Sequence, residues 1–242
     1  GTGLAGLGIT GKLSAKTANG MLDVKESSEQ PQEDLRIKKY NNFGNTGLKV
    51  SDVIFGAAGF FSPKVASYAL DLGINTFDTG ESYMNGRSEE FLGSALKGKR
   101  DKAIIITKLY FGIQEPDPAY PMTRSNLMER VNGSLKRLNT DYIDFLFIHN
   151  VDTPIIVKNE ELQLGFEELK KAGKIRFSGI STHNAKEMLR LGLEPAMKNF
   201  MQGILFMYNH MEGKEIEPLM QDARNAGIGT IAMKVLAGGK QV

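Results

Sequence analysis

The chain has 242 residues, 41% of them hydrophobic, and a formal net charge of +2 at pH 7. This length and apolar content suffice for one large core, as a single α/β barrel or as two smaller domains. The absence of cysteine excludes disulfides and cysteine-ligated zinc or iron–sulfur clusters made by these residues. The scattered basic residues do not indicate a nucleic-acid partner, and no apolar run is long enough to predict a membrane span.

Residues 1–34 are predicted to be a leader and a flexible linker. Residues 2–11 are small and apolar, and a small polar stretch follows, as at the end of an export signal. An export signal would predict a periplasmic protein. The alternative is a disordered or loosely docked leader on a cytoplasmic protein. Gly6, Gly8 and Gly11 match a dinucleotide fingerprint, and residues 6–12 match most of a phosphate-binding loop. Both matches are rejected because no strand precedes them.

The next residues predict a small cap and then the first units of the main fold. Residues 37–40 and 48–50 predict a β-hairpin, and residues 51–58 a first buried strand centred on Val53, Ile54 and Phe55. A helix is expected to follow and to end at Gly73. Residues 74–77 predict the second strand, and residues 88–97 a helix capped by Ser88.

Strand and helix patterns continue to alternate through the rest of the chain. Thr123 is expected to cap a helix whose apolar residues recur at helical spacing. The remaining predicted strands are residues 103–108, 142–149, 175–181, 201–208 and 230–235, and the remaining helices are residues 160–172, 185–191 and 216–226.

This alternation predicts βαβ units and a parallel sheet. Seven strands can be identified, whereas a closed (β/α)8 barrel has eight. The fold expected for residues 35–242 is therefore an α/β TIM-type barrel that is incomplete within this sequence. An open doubly wound sheet also accounts for seven strands, but it does not explain why polar residues collect at the strand ends.

Four residues with complementary acid–base chemistry are expected at or near the carboxyl ends of successive strands. In a barrel, these strand ends surround one pocket. They are Asp78, Tyr83 in the loop after it, Lys108 and His149. Tyrosine is a weak acid with a reference pKa of about 10, and a nearby ammonium favours its ionised form. An aspartate keeps such an ammonium charged, and a histidine can hydrogen-bond a carbonyl oxygen. The set predicts proton delivery to an oxygen.

Reduction of a carbonyl also requires hydride, which no side chain supplies, so a nicotinamide cofactor is implied. Ser181 is the last residue of the fifth predicted strand, and Gln202 lies at the start of the sixth. The side chains of both can hydrogen-bond a carboxamide. No nucleophile and no set of metal ligands is evident, and no metal is expected.

Several motifs together resemble the aldo-keto reductases, which are NAD(P)H-dependent carbonyl reductases on a TIM barrel. The resemblance implies that Tyr83 is the general acid, that Lys108 assists it, that Asp78 pairs with Lys108 and that His149 orients the carbonyl. Ser181 and Gln202 would hold the nicotinamide carboxamide. The motifs lie at residues 73–83, 107–108, 144–149, 179–184, 202 and 208–209.

The chain departs from the family pattern at three positions. Thr182 stands where many members have asparagine, and Met233 and Lys234 replace a Tyr-Ser pair at the end of strand seven. By resemblance these three residues complete the cofactor-binding set. The variant resembles a bacterial subgroup that carries a twin-arginine leader and a C-terminal ferredoxin-like segment.

The function expected from the resemblance is NAD(P)H-dependent reduction of an aldehyde or ketone. NADPH or NADH is the expected cofactor, and a small carbonyl compound the expected substrate. The protein is expected to be a monomer or weak dimer with no nucleic-acid or membrane partner. The alternative is a nucleotide-binding barrel with little or no activity, which acts as a sensor or interaction subunit.

Overall fold

The computed structural model describes residues 35–59, 62–209, 211 and 214–237. The predicted leader and linker at residues 1–34 lie outside the described residues. Within the described part of the chain, no helix has the length and apolar character needed to cross a membrane.

The predicted hairpin is confirmed, with its first strand displaced toward the carboxyl end. Strand β1 (Tyr40–Asn42) pairs antiparallel with β2 (Lys49–Ser51). The buried ring of Phe43 follows β1 and packs edge-on against Phe145, with 4.9 Å between the ring centroids. A Cβ on Gly229 would lie 2.4 Å from this ring, so glycine leaves the space that Phe43 fills. The hairpin thereby closes the amino end of the main sheet.

Among the described residues, the main sheet has seven parallel strands that neighbour each other in chain order, which confirms the predicted incomplete TIM-type barrel. The strands are β3 (Phe55–Gly56), β4 (Thr76–Asp78), β5 (Ile104–Tyr110), β6 (Ile143–His149), β7 (Ile175–Thr182), β8 (Gly203–Met207) and β9 (Gly229–Met233). The helices are α1 (Pro63–Asp71), α2 (Arg87–Ala95), α3 (Arg124–Leu138), α4 (Pro154–Val157), α5 (Glu160–Lys171), α6 (Ala185–Gly192) and α7 (Glu217–Asn225).

Alternate strand residues face two separate apolar layers, because successive side chains point to opposite faces of a sheet. The larger layer lies between strands and helices and includes Ile105, Leu146 and Phe166. The smaller layer lies on the inner face of the curled sheet. It contains Phe43, Val50, Ile104, Ile106, Phe145, Phe147, Leu205 and Ile231. The same alternation directs Lys108, His149 and Ser181 inward at the carboxyl end.

The curled sheet is open between β3 and β9, which are its edge strands among the described residues. A groove of about 810 Å³ lies along this opening and includes Val53, Ile231 and Val235 in its lining. Val53 is 53% exposed, so the prediction of a long first strand centred on it was wrong. The Ser51 hydroxyl donates to the Val53 carbonyl at 2.6 Å, and this turn leaves only Phe55 and Gly56 in the strand.

The predicted cap of α2 was also wrong. The helix is preceded by Gly86, whose φ of 86° is left-handed, and Ser88 lies inside the first turn. Its buried hydroxyl donates to the Ala57 carbonyl at 2.6 Å and lies 2.7 Å from the Thr79 hydroxyl. Ser88 therefore ties α2 to the segments that follow β3 and β4. Thr123, in contrast, caps α3 as predicted, accepting from the Asn126 N–H.

We expect Phe43→Ala to lower the free energy of unfolding by about 3–5 kcal/mol, because it removes a buried ring and leaves a cavity. Urea denaturation followed by circular dichroism measures the effect. Leu35→Ala is the control: Leu35 is 61% exposed, and we expect a change within about 0.5 kcal/mol. Equal effects of the two substitutions would contradict the assigned role of Phe43.

Candidate active site

The site is organised around the buried ammonium group of Lys108 on β5, which is 1% exposed. Its Nζ lies 2.7 Å from Oδ1 of Asp78, the last residue of β4. It also donates to the Thr79 carbonyl at 2.7 Å and to the Tyr83 hydroxyl oxygen at 3.2 Å. An ammonium has three N–H donors: the Thr79 carbonyl and the Tyr83 hydroxyl each accept a hydrogen bond, and the Asp78 carboxylate lies at ion-pair distance. The direction of the ammonium is thereby fixed.

Burial raises the pKa of Asp78 above its usual 3.8, although the attraction of Lys108 opposes this rise. A charged group inside a protein is tolerated when an opposite charge and hydrogen bonds compensate it. Asp78 and Lys108 provide this compensation for each other. Replacement of either residue alone would leave the other without its charge partner.

Tyr83 lies in the turn Tyr83–Gly86 that joins β4 to α2. The Lys108 Nζ is 4.7 Å from the centroid of its ring as well as within hydrogen-bond distance of its oxygen. The turn then continues through Met84 and Asn85, with φ values of 53° and 56°. Residues other than glycine rarely adopt this left-handed backbone conformation, which is strained for them. These residues follow Tyr83 and lead the chain through Gly86 into α2.

His149, the last residue of β6, completes the group predicted at the strand ends. Its ring centroid is 5.4 Å from that of Tyr83 with an interplanar angle of 81°, and its Nδ1 is 3.4 Å from the Ser82 hydroxyl. The pKa of His149 is lowered from 6.5 to about 3, first by burial and then by the positive charge of Lys108. The imidazole is therefore neutral at pH 7, with one N–H to donate.

The structure thus brings Asp78, Tyr83, Lys108 and His149 together from four separate segments. A phenol lies beside a fixed ammonium and faces a neutral imidazole. This arrangement can deliver a proton from the phenol to an oxygen and can hold that oxygen by hydrogen bonding.

Ser181 and Thr182 lie at the carboxyl end of β7 with different surroundings. The Ser181 hydroxyl oxygen accepts from the Asn150 N–H at 2.8 Å. The Thr182 hydroxyl donates to Oδ1 of Asp152 at 2.6 Å. This Asp152 oxygen also accepts hydrogen bonds from the backbone N–H groups of His183 and Asn184. Thr182 is therefore engaged in holding the β6 and β7 loops together.

Gln202 is not brought to this group of residues. It precedes β8, and the strand register places Leu205, not Gln202, opposite Ser181. Its side-chain oxygen accepts from the Ser178 N–H at 3.2 Å, and it lines a cavity of about 300 Å³ with Asn45 at the other end of the sheet. The reason is the strand length: Gln202 lies at the amino end of β8, and the site lies at the carboxyl ends.

Met233 and Lys234 lie at the end of β9, where Met233 packs against the inner apolar layer. The Lys234 ammonium is 2.8 Å from Nε2 of His183, and Nδ1 of His183 hydrogen-bonds the Asn150 side-chain oxygen. Burial, followed by the charge of Lys234, lowers the pKa of His183, although Asp152 opposes this effect. A neutral His183 can donate to Asn150 and accept from Lys234, which links the ends of β6, β7 and β9.

Sequence reasoning missed Asn150, Asp152 and the link through His183. The available signal was position: Asn150 directly follows the end of β6, Asp152 lies three residues beyond that end, and His183 directly follows Thr182. Their partners are about 30 or more residues away along the chain, so only the fold identifies the contacts.

Comparison with known proteins gives the family. The profile of the aldo/keto reductase family matches residues 61–241. The chain belongs to this family. It is a family of oxidoreductases, and the site described above lies within the matched region.

Three proteins illustrate the similarity. The versiconal hemiacetal acetate reductase of Aspergillus parasiticus is 31% identical over 83% of the chain and 68% of its own length. A putative voltage-gated potassium channel subunit beta of Schizosaccharomyces pombe is 35% identical over 60% of the chain and 45% of its own length. The holo form of the aldo-keto reductase AKR11C1 of Bacillus halodurans has a TM-score of 0.67 with 29% identity, over 83% of this chain and 67% of that one.

We expect His149 to contribute to acid sensitivity. A folded-state pKa near 3 and an unfolded value near 6.5 mean that only the unfolded chain takes up this proton between these pH values. Stability is therefore lost as pH falls through this window. The loss between pH 7 and pH 5 should be about 1–2 kcal/mol smaller in His149→Asn than in the unsubstituted chain.

Urea denaturation at the two pH values measures this difference. His183→Asn is the comparison variant, and its effect should be smaller because His183 is less buried. An unchanged acid sensitivity in His149→Asn would show that this ring is not held neutral by the fold.

Proposed function

We propose that the site reduces the carbonyl group of an aldehyde or ketone to an alcohol, with Tyr83 as the general acid. One observation carries the proposal: the Lys108 ammonium contacts Asp78, the Thr79 carbonyl and the Tyr83 hydroxyl at once. This ammonium stabilises the phenolate that remains after Tyr83 has given up its proton. The acid is therefore supported at the atom where negative charge develops.

His149 has a different role in the proposal. Its pKa near 3 makes it a poor proton source at pH 7, since almost none of it is protonated. A neutral ring can instead donate one hydrogen bond to the carbonyl oxygen and orient it toward Tyr83. The proposed division is that Tyr83 transfers the proton and His149 positions the acceptor.

A nicotinamide cofactor, NADPH or NADH, would supply the hydride when bound. Ser181 is suited to its carboxamide because the hydroxyl oxygen is held by the Asn150 N–H. Within the described residues, the Ser181 hydroxyl proton has no hydrogen-bond acceptor, so it could be donated to the carboxamide. Met233 would provide an apolar contact, and Lys234 a positive charge for the cofactor. Thr182 would act indirectly, by holding the loop through Asp152.

The proposed substrate is a small carbonyl compound, in line with the reductase name of the Aspergillus relative. The second candidate function is a nucleotide-binding subunit that acts on a partner protein, which the similarity to a channel subunit beta favours. A fluorescence titration with NADPH and a single-turnover assay on a generic aldehyde separate the two functions. Binding without cofactor oxidation would support the second.

We expect Tyr83→Phe to lower the single-turnover rate at least a hundredfold, because the substitution removes the general acid, and to change NADPH affinity less than threefold. Stopped-flow absorbance at 340 nm measures the rate. Tyr142→Phe is the matched control: Tyr142 precedes β6 at the amino end of the sheet, and this variant should retain the full rate. Retained reduction in Tyr83→Phe would eliminate Tyr83 as the acid.

We expect Ser181→Ala to weaken NADPH binding about 3–10-fold, the equivalent of one lost hydrogen bond to the carboxamide. Gln202→Ala should leave the affinity unchanged because Gln202 lies at the opposite end of β8. The fluorescence titration compares the two variants. The reverse order of effects would contradict the proposed cofactor position.

A further inference from the structure

We propose that Arg130 on α3 is a positioning residue, which holds the Tyr83 turn against the end of β5 through the side chain of Glu81. As a statement about catalysis, this inference rests on the proposed function. As a statement about the turn, it rests on contacts of the described residues alone.

The contacts of Arg130 connect three segments. Its Nε donates to one carboxylate oxygen of Glu81 at 3.2 Å, and its Nη2 donates to the other oxygen. The same Nη2 donates to the Tyr110 carbonyl at 2.8 Å. The planar guanidinium thus grips the carboxylate with two parallel bonds, a geometry that lysine cannot reproduce.

The surroundings make this ion pair stronger than one on an open surface. The Arg130 and Glu81 side chains are 12% and 16% exposed. The guanidinium carbon lies 4.6 Å from the Phe111 ring centroid and 4.9 Å from that of Tyr120. Aromatic rings attract the cation and exclude water, so solvent weakens the attraction to Glu81 less than it would at the surface.

The connected segments are those that carry the proposed acid and its ammonium. Glu81 precedes Tyr83 by two residues, and Tyr110 follows Lys108 by two residues. The Glu81 N–H also donates to the Lys108 carbonyl at 3.1 Å. The distance between the Tyr83 hydroxyl and the Lys108 ammonium therefore depends on a turn that Arg130 holds in place.

This turn requires such support because its backbone is strained. Met84 and Asn85 adopt left-handed φ values of 53° and 56°, a conformation that persists when neighbouring structure enforces it. On the far side of the turn, a Cβ on Gly86 would lie 2.8 Å from the Arg137 side chain. Arg137 is itself held by the buried Glu89 at 2.6 Å. Arg130 and Arg137, one heptad apart on α3, thus support the turn before and after Tyr83.

The test compares Arg130→Lys with Arg124→Lys. Both sites lie on α3, but Arg124 pairs with the exposed Glu161 and Glu168, away from the turn. In Arg130→Lys we expect kcat for aldehyde reduction to fall about 10–100-fold, as for a misplaced reacting group, with the NADPH KM changed less than twofold. Arg124→Lys should keep both values.

Hydrogen–deuterium exchange supplies a second measurement that does not depend on activity. In Arg130→Lys, exchange should increase at the amides of residues 80–86 and stay unchanged in β6. Glu81→Gln should reproduce both effects, and the double variant should lose no more kcat than either single variant, since the two residues act as a unit. Additive losses, or increased exchange throughout β6, would overturn the proposal in favour of a general stabilising role.

The two proposals fail in distinguishable ways. If the unsubstituted chain reduces no carbonyl compound, the proposed function fails, and local exchange at residues 80–86 still decides whether Arg130 holds the turn. If the unsubstituted chain is active and Arg130→Lys retains its kcat and its exchange pattern, the positioning role is refuted and the proposed function stands.

Discussion

The structure of the site depends on one constraint: the charge of a lysine ammonium buried to 1% exposure must be compensated by an opposite charge and by hydrogen bonds. Asp78 supplies the opposite charge, and the Thr79 carbonyl and the Tyr83 hydroxyl accept hydrogen bonds. Lys108 therefore draws the end of β4 and the turn after it toward β5. The contacts that compensate the buried charge of Lys108 are therefore the same contacts that position Tyr83, the proposed acid.

The curled parallel sheet provides the surroundings for these contacts. Inward-facing positions along the strands are filled by apolar residues such as Ile106 and Phe145 toward the amino end, and by Lys108, His149 and Ser181 toward the carboxyl end. Water is largely excluded below the polar group, which lowers the pKa of His149 and strengthens the pairing of Asp78 with Lys108. Phe43 closes the opposite end. The apolar interior is thus a cause of the electrostatics of the site.

The buried carboxylate of Asp144 joins several strands at the amino end of the sheet. Asp144, 1% exposed, accepts from Arg100 at 2.7 Å, from Arg176 at 2.8 Å and from the Ile105 N–H at 3.0 Å, all near the amino ends of the strands. These donors occupy both carboxylate oxygens of Asp144, so the cluster connects the strands to one another. At the carboxyl end, Tyr83 and His149 retain groups that can face a substrate. The two charged clusters differ in which side-chain donors and acceptors remain available to a ligand.

The sequence by itself determined the alternation of strands with the longer helices and the residue types at the strand ends, because hydrophobic periodicity and helix-ending glycines are local signals. It did not predict the short helix α4 or the correct centre of the first strand. Local signals also located Asp78, Tyr83, Lys108 and His149, since strand ends converge in a parallel barrel. Tertiary structure alone decided that Gln202 lies at the wrong end of β8, that Ser88 anchors α2 instead of capping it, and that Lys234 meets His183. It also decided that Arg130 reaches Glu81. These outcomes depend on register, on side-chain direction and on contacts between residues distant in the chain, none of which a linear pattern specifies.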